Sequence, residues 1–224
     1  MFGLFKKSDK EKKAIEGLRN AADMGITEAQ FNLGQCYASG VGMPQNHVEA
    51  AKWFRKAADQ NHGKAQGCLG ICYYKGEGVP RDYAEAVKWY RKGADQGDAF
   101  SQHNLGDCYA FGDGLPKDYA EAAKWYRKAA EQQNYPVDQF NLGYYYANGQ
   151  GVAKDYAEAA KWFRKAAEQN FADAQCWLGD CYRDGRGVTR NLVEACKWYK
   201  LAAAQGNETA KKALSLMIPK EWLK

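Results

Sequence analysis

Apolar and polar positions recur along this chain with a period of about 36 residues. The clearest copy, Asp-Tyr-Ala-Glu-Ala-Val-Lys-Trp-Tyr-Arg-Lys at residues 82–92, returns at 118–128 and 155–165, and looser copies start at Asn46 and Asn191. Each copy contains one tryptophan, and these lie 36, 36, 37 and 36 residues apart: Trp53, Trp89, Trp125, Trp162 and Trp198. A fixed period of this length is typical of stacked helical repeats, so it predicts an array of helix pairs.

The recurring segment has the spacing of an amphipathic helix. The apolar positions of one copy follow the i, i+3, i+4, i+7, i+11 rule: Tyr83, Ala86, Val87, Tyr90 and Ala94. An Asp or Asn precedes each copy and a Glu follows three residues later, which predicts a capping box. These pairs are Asp82/Glu85, Asp118/Glu121, Asp155/Glu158, Asn46/Glu49 and Asn191/Glu194. We expect the tryptophans to pack between helices and the Lys and Arg beside them to form a solvated outer face.

A second helical pattern precedes each copy. It contains a Leu-Gly pair and a Tyr four residues after the Leu, so that Leu and Tyr share one helix face. A glycine in mid-helix costs stability, and we expect it here because a partner helix approaches closely. The five sets are Leu33, Gly34 and Tyr37; Leu69, Gly70 and Tyr73; Leu105, Gly106 and Tyr109; Leu142, Gly143 and Tyr146; and Leu178, Gly179 and Tyr182. A Gly-x-Gly turn follows, whose first glycine suits a left-handed helix cap: Gly40, Gly76, Gly112, Gly149 and Gly185.

These patterns divide the chain into four parts. They are a basic N-terminal extension at 1–13, an N-terminal capping half-repeat at 14–26, five repeats at 27–207, and a C-terminal capping helix and tail at 208–224. Residues 14–23 align to a second helix, with Gly17 where the other copies have Trp, and residues 210–215 align to a first helix, with Ser215 in place of Gly. The sequence therefore predicts an all-α chain of about twelve helices with a single capping helix at each end.

The combined pattern is Ala-x-x-x-Leu-Gly-x-x-Tyr, then Gly-x-Gly-Val, then Asp-Tyr-x-x-Ala-x-x-Trp-Tyr-x-Lys-Ala-Ala. It resembles the Sel-one-like repeat (SLR) family, a relative of the tetratricopeptide repeats, over roughly residues 28–207. The resemblance implies a right-handed α/α superhelix, a solenoid whose first helices line the concave surface. It also implies a scaffold or adaptor that holds other proteins together without chemistry of its own, and an extended concave surface suits that role.

Charge and composition exclude several other classes of protein. The first 20 residues carry a net +3 and residues 208–224 a net +2, which together make up the +5 of the chain. A nucleic-acid-binding protein needs a basic stripe along its working face, so no nucleic-acid partner is expected. No apolar run could span a membrane, and residues 2–5 are too few for the apolar part of a signal peptide. We therefore expect the seven cysteines to be reduced thiols in the cytoplasm.

No set of residues indicates catalysis or metal binding. Four cysteines share the position before the repeat tyrosine and are expected to be small core residues: Cys36, Cys72, Cys108 and Cys181. The three histidines fall in unrelated registers, and no serine is followed by Lys at the third position. A cysteine-rich secreted branch of the resembled family has a disulfide in each repeat and has been linked to β-lactams. Its second-helix cysteine is Ala throughout this chain, so the resemblance to that branch is weak. A β-lactam-binding or hydrolysing protein is therefore kept as the second hypothesis, behind the scaffold.

Positions at which the repeats differ are the candidates for partner binding, because core packing would keep them uniform. The register of the tetratricopeptide concave positions selects the residue after each Leu-Gly pair: Gln35, Ile71, Asp107, Tyr144 and Asp180. The same helix face adds Phe31, Tyr74, His103, Phe111, Phe140 and Arg183. Exposed aromatic residues with scattered charges suit a protein or peptide groove, and plain variable surface is the alternative.

The sequence thus predicts a non-enzymatic scaffold or adaptor of bacterial type. We expect a cytoplasmic monomer that binds an unidentified protein or peptide on its concave first-helix face, with no cofactor and no bound metal.

Overall fold

The computed structural model describes residues 9–133 and 135–217, which form twelve α-helices and no strand. The helices are α1 (Asp9–Asp23), α2 (Thr27–Ser39), α3 (His47–Asp59), α4 (Gly63–Lys75), α5 (Tyr83–Asp95), α6 (Ala99–Phe111), α7 (Tyr119–Gln133), α8 (Pro136–Asn148), α9 (Tyr156–Glu168), α10 (Ala172–Asp184), α11 (Leu192–Ala204) and α12 (Glu208–Met217). The all-α class and the number of helices predicted from the repeats are confirmed. The chain divides into two compact units, Met1–Lys117 with α1–α6 and Asp118–Lys224 with α7–α12.

Within each unit, consecutive helices pack against one another. In unit 1, α2 packs on α3 and α4 on α5, and in unit 2 α8 packs on α9 and α10 on α11. Helix α1 begins at Asp9, earlier than the predicted half-repeat at residue 14. Residues 1–8 of the predicted extension and 218–224 of the predicted tail lie outside the described residues. Lys211 and Lys212 are exposed on α12, as expected for a capping helix.

In four of the Leu-Gly pairs, the glycine lies against an aromatic ring of the second helix: Gly34, Gly70, Gly143 and Gly179. A Cβ atom added to Gly143 would lie 2.8 Å from the Phe163 ring, and one added to Gly179 would lie 2.7 Å from the Tyr199 ring. The close approach predicted from the sequence is therefore confirmed. The ring belongs to the residue after the repeat tryptophan rather than to the tryptophan itself, because that next residue points into the helix pair.

The Gly-x-Gly turns end the first helices as predicted. The first glycine has φ between 68° and 83° in all five turns, and its N–H bonds the carbonyl of the residue before the repeat Tyr, as Gly76 does with Cys72. The second glycine contacts the preceding repeat. A Cβ atom on Gly78 would overlap the His47 carbonyl oxygen, and one on Gly187 would overlap that of Tyr156. Four of the five turns thus lie on the start of the previous second helix, and Gly42 of the first turn instead meets the Ile15 side chain within α1.

One half of the predicted capping box is confirmed and the other half is wrong. The side chain of Asp82 accepts from the Glu85 N–H at 3.0 Å, as a cap should. However, the Asp82 N–H donates to the Tyr73 carbonyl at 2.9 Å, and the Glu85 carboxylate instead pairs with Lys88 at 2.9 Å. The Tyr73 carbonyl takes this role because the turn folds it back beside the cap.

A buried glutamine in each first helix, which the motifs above do not include, joins neighbouring helices. The Gln66 side chain donates to the Ala58 carbonyl at 3.1 Å, and its oxygen accepts from Gln96 at the C-cap of α5 at 2.5 Å. Gln175 makes the equivalent pair of bonds in unit 2. All five are buried: Gln30, Gln66, Gln102, Gln139 and Gln175. Gln66 and Gln175 thus give a second donor to the Ala58 and Ala167 carbonyls, which also accept from the Asn61 and Asn170 N–H groups.

The predicted solvated outer face is only partly correct. The Arg after each repeat aromatic pair donates to the repeat Tyr hydroxyl of the next first helix, as Arg91 does with Tyr109 at 2.5 Å and Arg164 with Tyr182 at 2.5 Å. The Lys that follows lies over the tryptophan ring of its own helix, with Lys92 Nζ 4.1 Å from the centre of Trp89. The arginines are therefore part of the contact between repeats, whereas the lysines cover a tryptophan of their own helix.

Candidate protein-binding surface

In unit 1, the candidate residues of α4 and α6 lie on helices that contact each other. The Tyr74 hydroxyl donates to Asp113 Oδ2 at 2.7 Å, and its ring packs edge-on to Tyr83 with centroids 5.0 Å apart. The hydrogen bond to Asp113, followed by burial, raises the pKa of Tyr74. Tyr74 is therefore held as a fixed, protonated donor, and Ile71 lies half-buried one turn before it.

The α6 candidates combine charge with an exposed ring. His103 Nε2 lies 3.4 Å from Asp107 Oδ2 one turn later, and both side chains are half-buried. Phe111 ends the helix with 66% of its surface exposed. A phenylalanine this exposed stabilises the fold little, so it is available for a partner. We call Gln35, Ile71, Tyr74, His103, Asp107 and Phe111 the first-helix face of unit 1.

Phe31 lies elsewhere than expected. It is only 6% exposed and packs against Phe54 at 6.1 Å and the His62 ring at 4.7 Å. The expectation that it lies on the binding surface is therefore corrected: Phe31 is a core residue beneath that surface, because His62 at the start of α4 covers it. Gln35 is exposed on α2.

In unit 2, the candidate aromatics belong to a larger cluster, which we call the aromatic cluster: Phe140, Tyr144, Phe171 and Trp177, all half-buried. Phe140 contacts Tyr144 and Phe171 with ring centroids 6.5 and 5.4 Å apart. Tyr144 meets Trp177 in a T-shaped arrangement at 5.5 Å. The buried Phe163 lies beneath, 5.5 Å from Trp177. Such offset and edge-to-face contacts stabilise aromatic groups and leave ring surface for a ligand.

The charged candidates of α10 form one network. Arg183 pairs with Asp180 at 2.8 Å and donates two hydrogen bonds to Asp184, at 2.7 and 3.0 Å. The Tyr199 hydroxyl also donates to Asp180 at 2.6 Å. The Arg183 guanidinium lowers the pKa of Asp184, so the two groups stay charged together. The first-helix face of unit 2 consists of Phe140, Tyr144, Trp177, Asp180 and Arg183.

Sequence reasoning missed Trp177, Phe171, Asp113 and Asp184. A signal for Trp177 was present, since it is a tryptophan outside the 36-residue series and stands where other repeats have Asn or Cys. Asp113 lies in a turn and its partner Tyr74 is 39 residues away, so only the folded chain brings the two together. Asp184 pairs with its neighbours Arg183 and Arg186, and that short spacing was visible in the sequence.

The thiols are free and mostly inert. None of the seven cysteines is in a disulfide. Burial is the main cause that raises the pKa of Cys68 and Cys108 to about 12 and that of Cys72, Cys176 and Cys181 to about 11. Protonated thiols are poor nucleophiles. Across residues 9–133 and 135–217, no three potential metal ligands of the His, Cys, Asp or Glu type group together.

The same part of the chain contains no helix that is both long and apolar enough to cross a membrane.

Comparison with known proteins gives a consistent set of matches. The Sel1 repeat model matches residues 27–62, 64–98, 99–134, 136–171 and 172–207. Among solved structures, c5321, a protective antigen of uropathogenic Escherichia coli strains with an SLR fold, is 39% identical with a TM-score of 0.89. The match covers 95% of this chain and 45% of c5321, so this chain spans about half the length of that protein.

A Sel1 repeat protein from Oxalobacter formigenes is 37% identical with a TM-score of 0.83, over 91% of this chain and 84% of that one. A search of curated proteins gives no match.

Proposed function

This chain belongs to the Sel1 repeat family, whose members typically mediate protein–protein interaction, and we propose that it is a non-enzymatic adaptor that binds a protein or peptide segment through its first-helix faces. The observation that carries the proposal is the contrast between repeat positions that are shared and repeat positions that differ. Positions that are the same in every repeat are occupied by internal contacts, whereas most of the candidate positions that differ, with the buried Phe31 as an exception, hold aromatic rings and charges at the surface.

The aromatic cluster gives the proposal its chemistry. Tyr144 and Trp177 are held in place by Phe140 and Phe163, so little side-chain entropy is lost when a partner covers them. Rigid aromatic groups of this kind dominate binding energy at protein interfaces. A partner segment would place an apolar side chain on the cluster and a polar or charged group near Arg183.

Two further properties support an adaptor over an enzyme. The thiols whose pKa is raised by burial are protonated at neutral pH and are weak nucleophiles. The candidate charges are also paired, His103 with Asp107 and Arg183 with Asp180 and Asp184. Seven free thiols suit a reducing compartment, so we place the adaptor in the cytoplasm, where it acts as a monomer.

Site-specific photo-crosslinking tests the proposal. A photoreactive phenylalanine analogue at Tyr144 or at Phe111 should crosslink a defined protein in cells. The same analogue at Lys161, an exposed residue of the second helix α9, serves as the matched control and should not. A variant with Tyr74→Ala, Phe111→Ala and Tyr144→Ala that keeps its helical circular dichroism should lose the crosslinked partner's binding. Identical products at Lys161 and at the face positions, or full binding by the triple variant, would contradict the proposal.

A further inference from the structure

The C-terminal end of the array carries an open groove that is separate from the cluster on the first-helix face. Its cavity of about 620 Å³ lies between α11, the end of α12 and the turn after α10. The residues that matter are Arg190, Leu192, Cys196, Lys200 and Leu216, and we call them the C-terminal groove. Leu192 and Leu216 are 46% and 87% exposed. Apolar side chains this exposed in one place mark an interaction site.

The equivalent surface of the preceding repeat is covered. There the glycine turn of the next repeat lies on Tyr156, which is in register with Leu192, and Arg164 donates to the Tyr182 hydroxyl. Lys200 is in register with Arg164. Residues 207–224 contain neither glycine nor tyrosine, so they cannot reproduce either contact. Within the described residues, helix α11 therefore presents a surface that is not covered in the way the preceding repeat is.

The charge of the groove selects the occupant. Four cations line it, Arg183, Arg190, Lys197 and Lys200, and no acidic residue among residues 9–133 and 135–217 does. Arg183 and Lys197 pair with acidic neighbours on their own helices. Within the described residues, Arg190 and Lys200 have no carboxylate at ion-pairing distance, although Arg190 Nε does donate to the Arg183 carbonyl at 3.0 Å. Arg190 contributes to the lowered pKa of Asp184, but that carboxylate is already paired with Arg183 and Arg186, so the cations beside the exposed leucines outnumber the carboxylates near them.

Two occupants from this chain itself have the wrong charge. Residues 218–224 carry two lysines and one glutamate, and the first 20 residues, at the opposite end, carry a net +3. A tail that folds back or a second copy stacked end to end would bring like charges together, which costs free energy at an interface. We propose that the C-terminal groove binds an acidic amphipathic helix of a partner protein. Its apolar side chains, three and four residues apart, contact Leu192, Cys196 and Leu216, and its carboxylates face Arg190 and Lys200.

This inference goes beyond the proposed function, since the groove and the aromatic cluster share no residue, although Arg183 of the first-helix face also lines the groove. The test uses the full chain and a fluorescein-labelled helical peptide of about 18 residues, or five turns, built from leucines at that spacing and glutamates elsewhere. A counterpart with lysine for every glutamate is the control peptide. Fluorescence anisotropy should show binding of the acidic peptide at about 50 mM NaCl, with weaker binding at about 300 mM, and no binding of the basic one.

Charge reversal locates the site. The Arg190→Glu, Lys200→Glu double variant should weaken binding by at least about tenfold, because it places like charges opposite the peptide. The Lys64→Glu, Lys75→Glu variant makes the same change in net charge at exposed positions of unit 1 and should stay within about twofold of the parent. Bound peptide should also slow alkylation of Cys196, read by mass spectrometry, and leave Cys36 and Cys68 unchanged as internal references.

Several outcomes would overturn the proposal. They are equal binding of the two peptides, no effect of the double charge reversal, or no protection of Cys196. If Cys196 is already protected in the free chain and Trp222→Ala exposes it, residues 218–224 occupy the groove instead. If sedimentation shows a dimer that Arg190→Glu with Lys200→Glu dissociates, the occupant is a second copy. Loss of peptide binding leaves the crosslinking result at Tyr144 unaffected, so the two proposals fail independently.

Discussion

Gly143 and Tyr144 are neighbours in α8, yet they serve opposite purposes. Gly143 is one of five glycines at the same repeat position, and it is buried where the Phe163 ring leaves no room for a Cβ atom. Tyr144 stands where the other repeats have Gln, Ile or Asp, and its ring is half-buried beside Trp177. Positions that repeat are thus used for packing between helices, and most positions that vary are left to the surface, although Phe31 is buried. This difference can be measured, because the first kind should control stability and the second kind binding.

The largest loss of stability is expected when a side chain is added at a glycine position that all repeats share. Gly143→Ala would press a methyl group into the Phe163 ring and the Ala159 carbonyl, and we expect it to lower the free energy of unfolding by about 2–3 kcal/mol. Gly17→Ala is the matched control, since Gly17 is also within a helix and nothing lies within 4 Å of its added Cβ. It should be neutral or stabilising by up to about 1 kcal/mol. Urea denaturation measures both, and equal losses in the two variants would show that the close approach is not what selects glycine.

The second largest loss of stability is expected at the buried glutamine that all five repeats share. Gln175→Leu removes the hydrogen bond from Gln175 to the Ala167 carbonyl and the one from the Gln205 side chain to Gln175, and the loss of these two bonds should cost about 2 kcal/mol. Gln35→Leu is the matched control, since it replaces a glutamine by leucine at an exposed position of α2. It should change the free energy of unfolding by less than about 0.5 kcal/mol. The comparison uses the free energy of unfolding from urea titrations. If Gln175→Leu unfolds at the same urea concentration as the parent, the glutamine bonds between repeats contribute nothing.

The smallest effect on stability is expected at a position that varies. Phe111→Ala removes a ring that is 66% exposed, so the free energy of unfolding should fall by less than about 0.5 kcal/mol. Thermal unfolding followed by circular dichroism checks this. A loss as large as that of Gly143→Ala would mean that Phe111 belongs to the packing of unit 1 and is not available to a partner.

The helix caps and the buried glutamines show which hydrogen bonds a sequence pattern can predict and which it cannot. The Asp-x-x-Glu spacing correctly predicted that Asp82 caps α5, because that bond joins residues three apart. It wrongly gave Glu85 the return bond, because the carbonyl of Tyr73 arrives from another helix. The buried glutamines had a period as regular as the tryptophans, so they could have been recognised as structural. Their partners could not, since each bond joins two different helices.

The sequence by itself determined the helices, their number and the all-α repeat architecture, because periodic apolar positions, caps and left-handed glycines act within a few residues of each other. Only the tertiary structure decided which variable residues reach the surface. It buried Phe31 beneath His62, joined Tyr144 to Trp177 and placed Asp180 between Arg183 and Tyr199. It also left Leu192 and Lys200 uncovered at the end of the array. The physical reason is that exposure depends on which neighbouring repeat covers a residue, and local sequence does not contain that information.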